Sequence, residues 1–594
     1  MGYSPGCPRR PLNWGSKISK SVFEFGPFCL DPSRRELRRA DDDISLTPRA
    51  FDTLLALVER EGALVEKEDL LRRVWPQVHV SHATLTQNVY TIRKALERHD
   101  PSTEYVETIP RRGYRIAVPV QTSTGAVDPT VRSVPRELAV LPFVPLGVSA
   151  EERFVGLGMA DALITRLSAL RQITVRPTSA ILQFSDNPRG ALEVGRTLGV
   201  EAVLEGTVQM IPRRVRVTVQ LVDVYDASTI WADSFDTERT DLLCVEDEIS
   251  RRVIDALRLH LSREDERRLA SPATANVEAH RAYVKGRYHW NARTATDLKK
   301  AIAHFENAIR HDDRYVLAYA GLADSWALLP LYGSERPADV FPRVRNAAMK
   351  ALAIDDTSAE ANTSLAYVHL FFDWNSPEAE AGFARAIGSN PGYPTAHHWL
   401  AFLHASQARH DESVASAMRA LELDPLSLAI NADLGLVLYF ARRFDEAIEQ
   451  FRVTLELNAD FAYARFGLAL ACAASGRIDE AILESRRAVA LSPGGSAMLA
   501  ALGYAYGVGG RDAEAREVLG QLASLAGSPS QHASRAAVVH AGLGDHAAAL
   551  SRLRDACEER SRFVVFLRVW PVFDRIRAEP EFETLVRRVA GRPV

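Results

Sequence analysis

ARRFDEAIEQFRVTLELNADFAYARFGLALACAASGRIDEAILESRRAVALSP, residues 441–493, carries its own period. Asp445-Glu446-Ala447 returns 34 residues later as Asp479-Glu480-Ala481, and each is followed by an amphipathic stretch of the AIEQFRVTLEL kind. Outward from here the beat is kept by Ala379, Ser413, Ala515 and Ala549, with Pro391, Pro425, Ala459 and Pro493 as a second marker. Such a period is the mark of a tandem helix-turn-helix unit, in which small residues let paired helices approach and proline ends the second helix. Looser copies around Ala301–Ala308 and Val344–Ala351 bring the array to about eight units.

The unit resembles the tetratricopeptide repeat. That resemblance implies an all-α solenoid over residues 276–594, with FVVFLRVWPVFDRIRAEPEFETLVRRVA as a cap over the last repeat. Solenoids of this kind present a long concave surface, so an unidentified protein or peptide is expected on the repeat groove. His397, His398, Trp399, Tyr439, Tyr463 and Tyr504 fall at helical spacing and read as core or groove lining. Ala488–Gly510 has no charge over 23 residues, yet it holds Pro493 and six glycines and keeps the repeat register. It reads as a repeat helix, and no membrane span is expected.

The front of the chain has a different grammar. Residues 22–46 alternate short apolar runs with turn signals at Gly26-Pro27, Asp31-Pro32 and Asp41-Asp42-Asp43, which predicts a small antiparallel sheet. Thr47-Pro48 opens a helix that Gly62 ends, and KEDLLRRVW forms a second that stops at Pro76. In ATLTQNVYTIRKALERH, Leu85, Val89, Ile92 and Leu96 form one apolar stripe. The opposite face carries Gln87, Tyr90, Thr91 and Lys94, flanked by Thr84, Thr86, Asn88 and Arg93. Amide, hydroxyl and basic groups are what base edges and phosphates bond. YVETIPRRGYRIAVPV then alternates as a hairpin with Arg111 and Arg112 at its tip, a place from which arginines enter a minor groove.

Together these motifs resemble the winged helix-turn-helix output domain of OmpR/PhoB-type bacterial transcription regulators, over residues 22–119. ETIPRRGYR is most like the CadC/HilA-like branch. The resemblance implies a recognition helix at 82–97 in the major groove of double-stranded DNA, a wing at 105–117, and a loop at 75–81 that meets RNA polymerase. It further implies base contacts from Gln87, Thr91 and Thr84, and phosphate contacts from Asn88, Tyr90, Arg93 and Lys94.

Residues 1–21 read as a disordered leader and 120–136 as a polar linker. LAVLPFVPL, FVGLGMADALITRLSAL, ITVRP, ALEVGRTLGV and three further strands then give a βαβαβββ order and a mixed sheet. AVLPF, LGVEAVLEGTVQ and IWADSFD make residues 137–236 resemble the TolB-like domain found between regulatory and tetratricopeptide modules. Residues 237–275, with the helix LLCVEDEISRRVIDALRLHLS, read as a connector to the repeats. The fold class is thus multidomain α+β: winged helix, small α/β domain, all-α solenoid.

Composition agrees with a globular protein. The chain has 594 residues, 47% of them hydrophobic and 25% charged, which excludes a disordered polymer and a membrane bundle. Its net charge of -4 hides +3 over residues 1–120 and -7 over the rest, so the front is mildly basic and the body acidic. Cys7, Cys29, Cys244, Cys472 and Cys557 form no CxxC pair, so neither a disulfide framework nor a zinc knuckle is expected, and a cytoplasmic location suits them. Gly156-Leu157-Gly158 lacks a third glycine and the Lys of a phosphate loop, and no catalytic constellation is present. The expectation is a regulator and not an enzyme, with no catalytic residue, metal or cofactor; the alternative is a repeat scaffold whose winged helix docks protein.

Overall fold

The computed structural model describes residues 22–32, 36–39, 42–44, 46, 48–74, 82–100, 103–109, 112–123, 135–146, 154–168, 170, 172–184, 190–211, 214–238, 242–257, 259, 274–291, 294–332, 335–525 and 529–590. The leader at 1–21 and the loop at 75–81 lie outside them. The chain divides into two compact units, residues 1–134 and 135–594.

In the first unit, strands β1 (Val22–Phe25), β2 (Phe28–Asp31), β3 (Glu36–Arg39) and β4 (Asp42–Ile44) form the expected antiparallel meander. Gly26 turns β1 into β2 at φ 58°, where a Cβ would also sit 2.8 Å from the Tyr105 ring. A fifth strand, β8 (Val120–Ser123), pairs with β1 from Val22↔Ser123 to Phe25↔Val120. The expected linker therefore starts as sheet: VQTS is polar, but its backbone groups complete the edge of β1. Helices α1 (Pro48–Val58), α2 (Lys67–Val74) and α3 (His82–His99) cover this sheet. Their apolar faces meet in one core with Phe25, Phe28, Leu54, Leu70, Leu85 and Ile92. A second sheet, in the order β5 (Val65–Glu66), β7 (Gly113–Ile116), β6 (Val106–Ile109), stands beside α3.

The second unit opens with a mixed sheet. The order is β11 (Thr174–Val175), β9 (Glu137–Val140), β12 (Ala202–Met210), β13 (Arg214–Asp223), β14 (Thr229–Glu238), with β10 (Val144–Leu146) parallel beside β12. β9, β11 and β12 are parallel, and β12, β13 and β14 run as a long antiparallel meander. Helices α4 (Phe154–Ser168), α5 (Thr178–Ile181) and α6 (Ala191–Leu198) lie between the strands in sequence. Helix α7 (Leu242–Ala256) corrects the connector reading. Its buried Val245, Ile249 and Val253 pack it with α4 and β14, so it is part of this domain, not a strut beyond it.

The repeats are eight antiparallel helix pairs among the described residues: Val277–Asn291 with Ala295–His311, Val316–Tyr332 with Pro337–Ile354, Ala359–Val368 with Ser376–Ser389, Pro394–Ser406 with His410–Leu423, Leu428–Phe440 with Phe444–Leu457, Ala462–Ala474 with Ile478–Leu491, Ser496–Val508 with Asp512–Ser524, and Pro529–Leu543 with His546–Glu558. Ala379, Ser413, Ala447, Ala481, Ala515 and Ala549 are all buried where the second helix of each pair meets the first. Phe451 fills the gap left by two glycines: a Cβ on Gly435 or Gly467 would lie 2.7 or 2.3 Å from its ring. The α/β domain is fastened to the array by Arg176, which donates to the carbonyls of Leu198 and Gly199 on its own side and of Glu422 across the joint. Ser179 Oγ adds a bond to Asp424 at 2.6 Å.

The segment after the last pair ends in the helix Pro580–Val589, which packs against His546–Glu558, the second helix of that pair, and it also reaches back to earlier pairs. Its turns Arg562–Phe566 and Pro571–Ile576 fold back against the first helices of earlier pairs. Phe566 sits 6.1 Å from Phe371, 5.5 Å from Phe402 and 4.9 Å from Phe440, ring centre to ring centre, so one side chain touches three consecutive repeats. Arg562 lies 4.6 Å over the Phe371 ring, and Arg442 grips Asp574 with two bonds of 2.7 Å. The face expected to receive a guest over the third to fifth pairs thus holds the chain's own residues. The physical reason is composition: FVVFLRVW is too apolar to lie on the outside of one terminal helix pair.

Candidate nucleic-acid interface

Leu85, Val89, Ile92 and Leu96 are buried along α3, and this stripe fixes which residues turn outward. Tyr90, at 49% exposure, and Lys94 project from the far side, the Lys94 ammonium 5.8 Å over the Tyr90 ring and 3.3 Å from Glu97 Oε2. Asn88 and Thr91 are half-buried beside them. For Thr84 and Gln87 the helical backbone is described and the side chains are not.

Arg93, an expected phosphate contact, is half-buried and reaches across to the wing. Its Nε and Nη2 donate to the Val106 carbonyl at 2.9 and 2.7 Å, and Nη2 also reaches Thr108 Oγ1 at 2.7 Å. Glu104 stands 3.8 Å away. Thr86 Oγ1 makes a second link, 3.2 Å from the Tyr114 hydroxyl. Helix and wing are therefore braced together by two side chains of α3, and neither brace was legible as such in the helical wheel.

The wing has a backbone reason for its glycine. A Cβ on Gly113 would fall 1.9 Å from the Val65 carbonyl oxygen, because β7 pairs with β5 at that point. Arg112 is exposed at the turn while its backbone is held, its N–H donating to Ile109 and its carbonyl accepting from Lys67. Arg111 lies outside the described residues. Arg115 is neutralised across the hairpin by Glu107 at 2.6 Å. Tyr105 anchors the hairpin base, its ring edge-on to Phe28 at 4.9 Å and its hydroxyl donating to Asp100. Burial, with the Asp100 bond, holds the Tyr105 hydroxyl above its usual range. What remains exposed is Thr86, Tyr90 and Lys94 on α3 and Arg112 on the wing.

The other sequence motifs resolve as packing. A Cβ on Gly156 would strike the Phe143 carbonyl at 1.9 Å, and Gly158 lies against Val284 of the first repeat. Both glycines are contact points of α4, not a phosphate loop. His398 bonds Asp433 at 2.7 Å, and Asp433 accepts from Tyr463 at 2.9 Å, a chain across neighbouring repeats. Cys29, Cys472 and Cys557 are unpaired thiols, and burial pushes the last two up to about 12. Among the described residues no group of three or more His, Cys, Asp or Glu is placed to hold a metal ion. No helix among them is long and apolar enough to cross a membrane.

Comparison with known proteins finds family matches in three parts of the chain. Residues 41–116 match the family "Transcriptional regulatory protein, C terminal", residues 135–252 the "HilA/YgeH-like transcriptional regulator, second domain", and residues 394–425 and 432–496 the tetratricopeptide repeat. Transcriptional regulator HilA of Salmonella typhimurium is 22% identical over 73% of this chain and 76% of its own length. Putative adenylate cyclase 3 of Rhizobium meliloti is 28% identical over 31% of this chain, which spans 32% of the cyclase. Among solved structures, the DNA-binding domain of Escherichia coli CadC is 29% identical, covering 17% of this chain and 96% of that domain at a TM-score of 0.17. The chain joins an OmpR/PhoB-type transcriptional-regulator domain, a HilA/YgeH-like second domain and an array of tetratricopeptide repeats.

Proposed function

We propose that the chain is a cytoplasmic bacterial transcription regulator that reads a duplex DNA sequence with α3 and the wing. The observation that carries this reading is the exposure of Thr86, Tyr90 and Lys94 on α3 and of Arg112 on the wing, while Leu85, Val89, Ile92 and Leu96 of α3 are buried. Groups of these types suit a major groove, with the wing arginines beside a phosphate or minor groove. Thr84, Gln87 and Thr91 are proposed to meet base edges; Asn88, Tyr90, Lys94, Arg111 and Arg112 to meet phosphate; Thr86 and Arg93 to set the angle between helix and wing. The loop at 75–81 is proposed to touch RNA polymerase. The second unit acts as the sensing and protein-interaction part, through surfaces other than the inner face that its own residues cover.

The test is selection of duplexes from a random pool by the full chain at two salt concentrations. An enriched motif whose retention falls with salt supports the reading, since each phosphate contact releases counterions. Failure to enrich any motif, from a folded chain, favours a repeat scaffold whose winged helix docks protein.

A further inference from the structure

A cleft of about 70 Å³ separates α4 from the first helices of the first four repeats. Asp161 lines it from the α/β side; Arg287, Asp324, Glu360 and Tyr393 line it from the repeats. Asp161 decides what the cleft can hold. It is only 3% exposed, its Oδ1 accepts from Thr178 Oγ1 at 2.5 Å, and its Oδ2 is buried with no hydrogen-bond donor among the described residues. A buried carboxylate oxygen in that state is costly until a donor reaches it.

Arg287 does not supply that donor. Its guanidinium lies 4.6 Å over the Trp290 ring and its Nε is buried without an acceptor among the described residues, although Asp161 and Asp324 are among the charges that hold it above its usual range. The lining therefore sets three carboxylates against one guanidinium, an excess of formal negative charge in a place screened from water. Burial raises the Glu360 carboxyl and the Tyr393 hydroxyl above their usual ranges. A metal ion would need a converging set of ligands, which the described residues do not offer. An ammonium group needs less: three N–H donors directed at separate acceptors, and an excess of negative charge.

We infer that this cleft binds a small molecule carrying a protonated primary amine, with the ammonium directed at the Asp161 carboxylate that lines it. Its volume limits the guest to a few non-hydrogen atoms. Because the walls come from the α/β domain and from four repeats, such a guest favours the arrangement in which they are docked. The inference stands independently of what the first unit binds.

The test uses the full chain with ethanolamine as probe, by titration calorimetry and thermal unfolding at constant ionic strength. Saturable binding of one ethanolamine per chain, a raised unfolding temperature, and an affinity at least tenfold lower in Asp161→Asn are expected. Acetate, whose charge is of the wrong sign, and tetramethylammonium, which has no N–H donor, should not bind. The inference is overturned by no saturable ethanolamine binding, by equal binding of acetate, or by undiminished affinity in Asp161→Asn. The tetramethylammonium comparison needs no variant, and equal binding of that ion overturns it as well.

Discussion

The Arg93 guanidinium closes the gap between α3 and β6 by donating two bonds to the Val106 carbonyl, at 2.9 and 2.7 Å. A cation placed this way braces helix against wing, and on the proposed reading it sets the angle between them instead of adding to the charge offered to DNA. Arg93→Ala removes charge-assisted bonds worth about 1.5–3 kcal/mol and lets the wing pivot. The expected result is weaker binding to every duplex, with the slope of log affinity against log salt unchanged. A slope reduced by about 1 would make Arg93 a phosphate contact instead.

Arg112 is expected to behave in the opposite way. Its backbone is fixed by Ile109 and Lys67 while its side chain is exposed, so Arg112→Ala should leave the fold intact. Affinity should fall uniformly across sequences and the salt slope by about 1. Filter binding at several salt concentrations separates the two arginines.

Much of this architecture was legible from spacing alone. The 34-residue beat located the helix pairs because each period must bury one small residue at the same place, and the α3 stripe at Leu85, Val89, Ile92 and Leu96 identified its buried side. What escaped the sequence was set by partners far along the chain. The strand at Val120–Ser123 looks like a linker until β1 is placed beside it. Helix α7 shows an amphipathic face but not the α4 surface that receives it. Arg93 sits on the flank of a helical wheel, and only the neighbouring carbonyl of Val106 shows that it reaches across to the wing. The Asp161 cleft joins residues of separate domains, which no local pattern records.

Glu246 makes the stability of the second unit depend on pH. Burial pushes its carboxyl well above the usual range, opposed by Arg166 and reinforced by Asp247 and Asp161. The unfolded carboxyl loses its proton near its ordinary value and the folded one at a higher pH, so between the two the folded state binds more protons. Stability is then lost as pH rises through that window, by at most about 1.36 kcal/mol per pH unit for this one group. Glu246→Gln cannot ionise. Its unfolding temperature should exceed the wild type's at alkaline pH, with the difference shrinking toward acid; parallel curves would contradict the assignment.

Phe566 is the point where three repeats share one side chain. Phe566→Ala should cost about 3–5 kcal/mol, the range for truncating a large buried aromatic. The loss should appear as a lower denaturant midpoint for the second unit, with no change in the first. An effect under about 1 kcal/mol would show that the inner face repacks readily.

The inward course of residues 562–576 also orders events during synthesis. Phe371, Phe402 and Phe440 are made well before Phe566, so a growing chain carries the inner surface of the third to fifth pairs open to water until more than a hundred further residues have followed Phe440. Local helix pairing can proceed in that interval, but the long-range closure cannot, and exposed aromatic surface at that stage invites association with other chains. A ribosome stalled before Phe566 should therefore display a nascent array that binds chaperones, and release past that point should end the interaction.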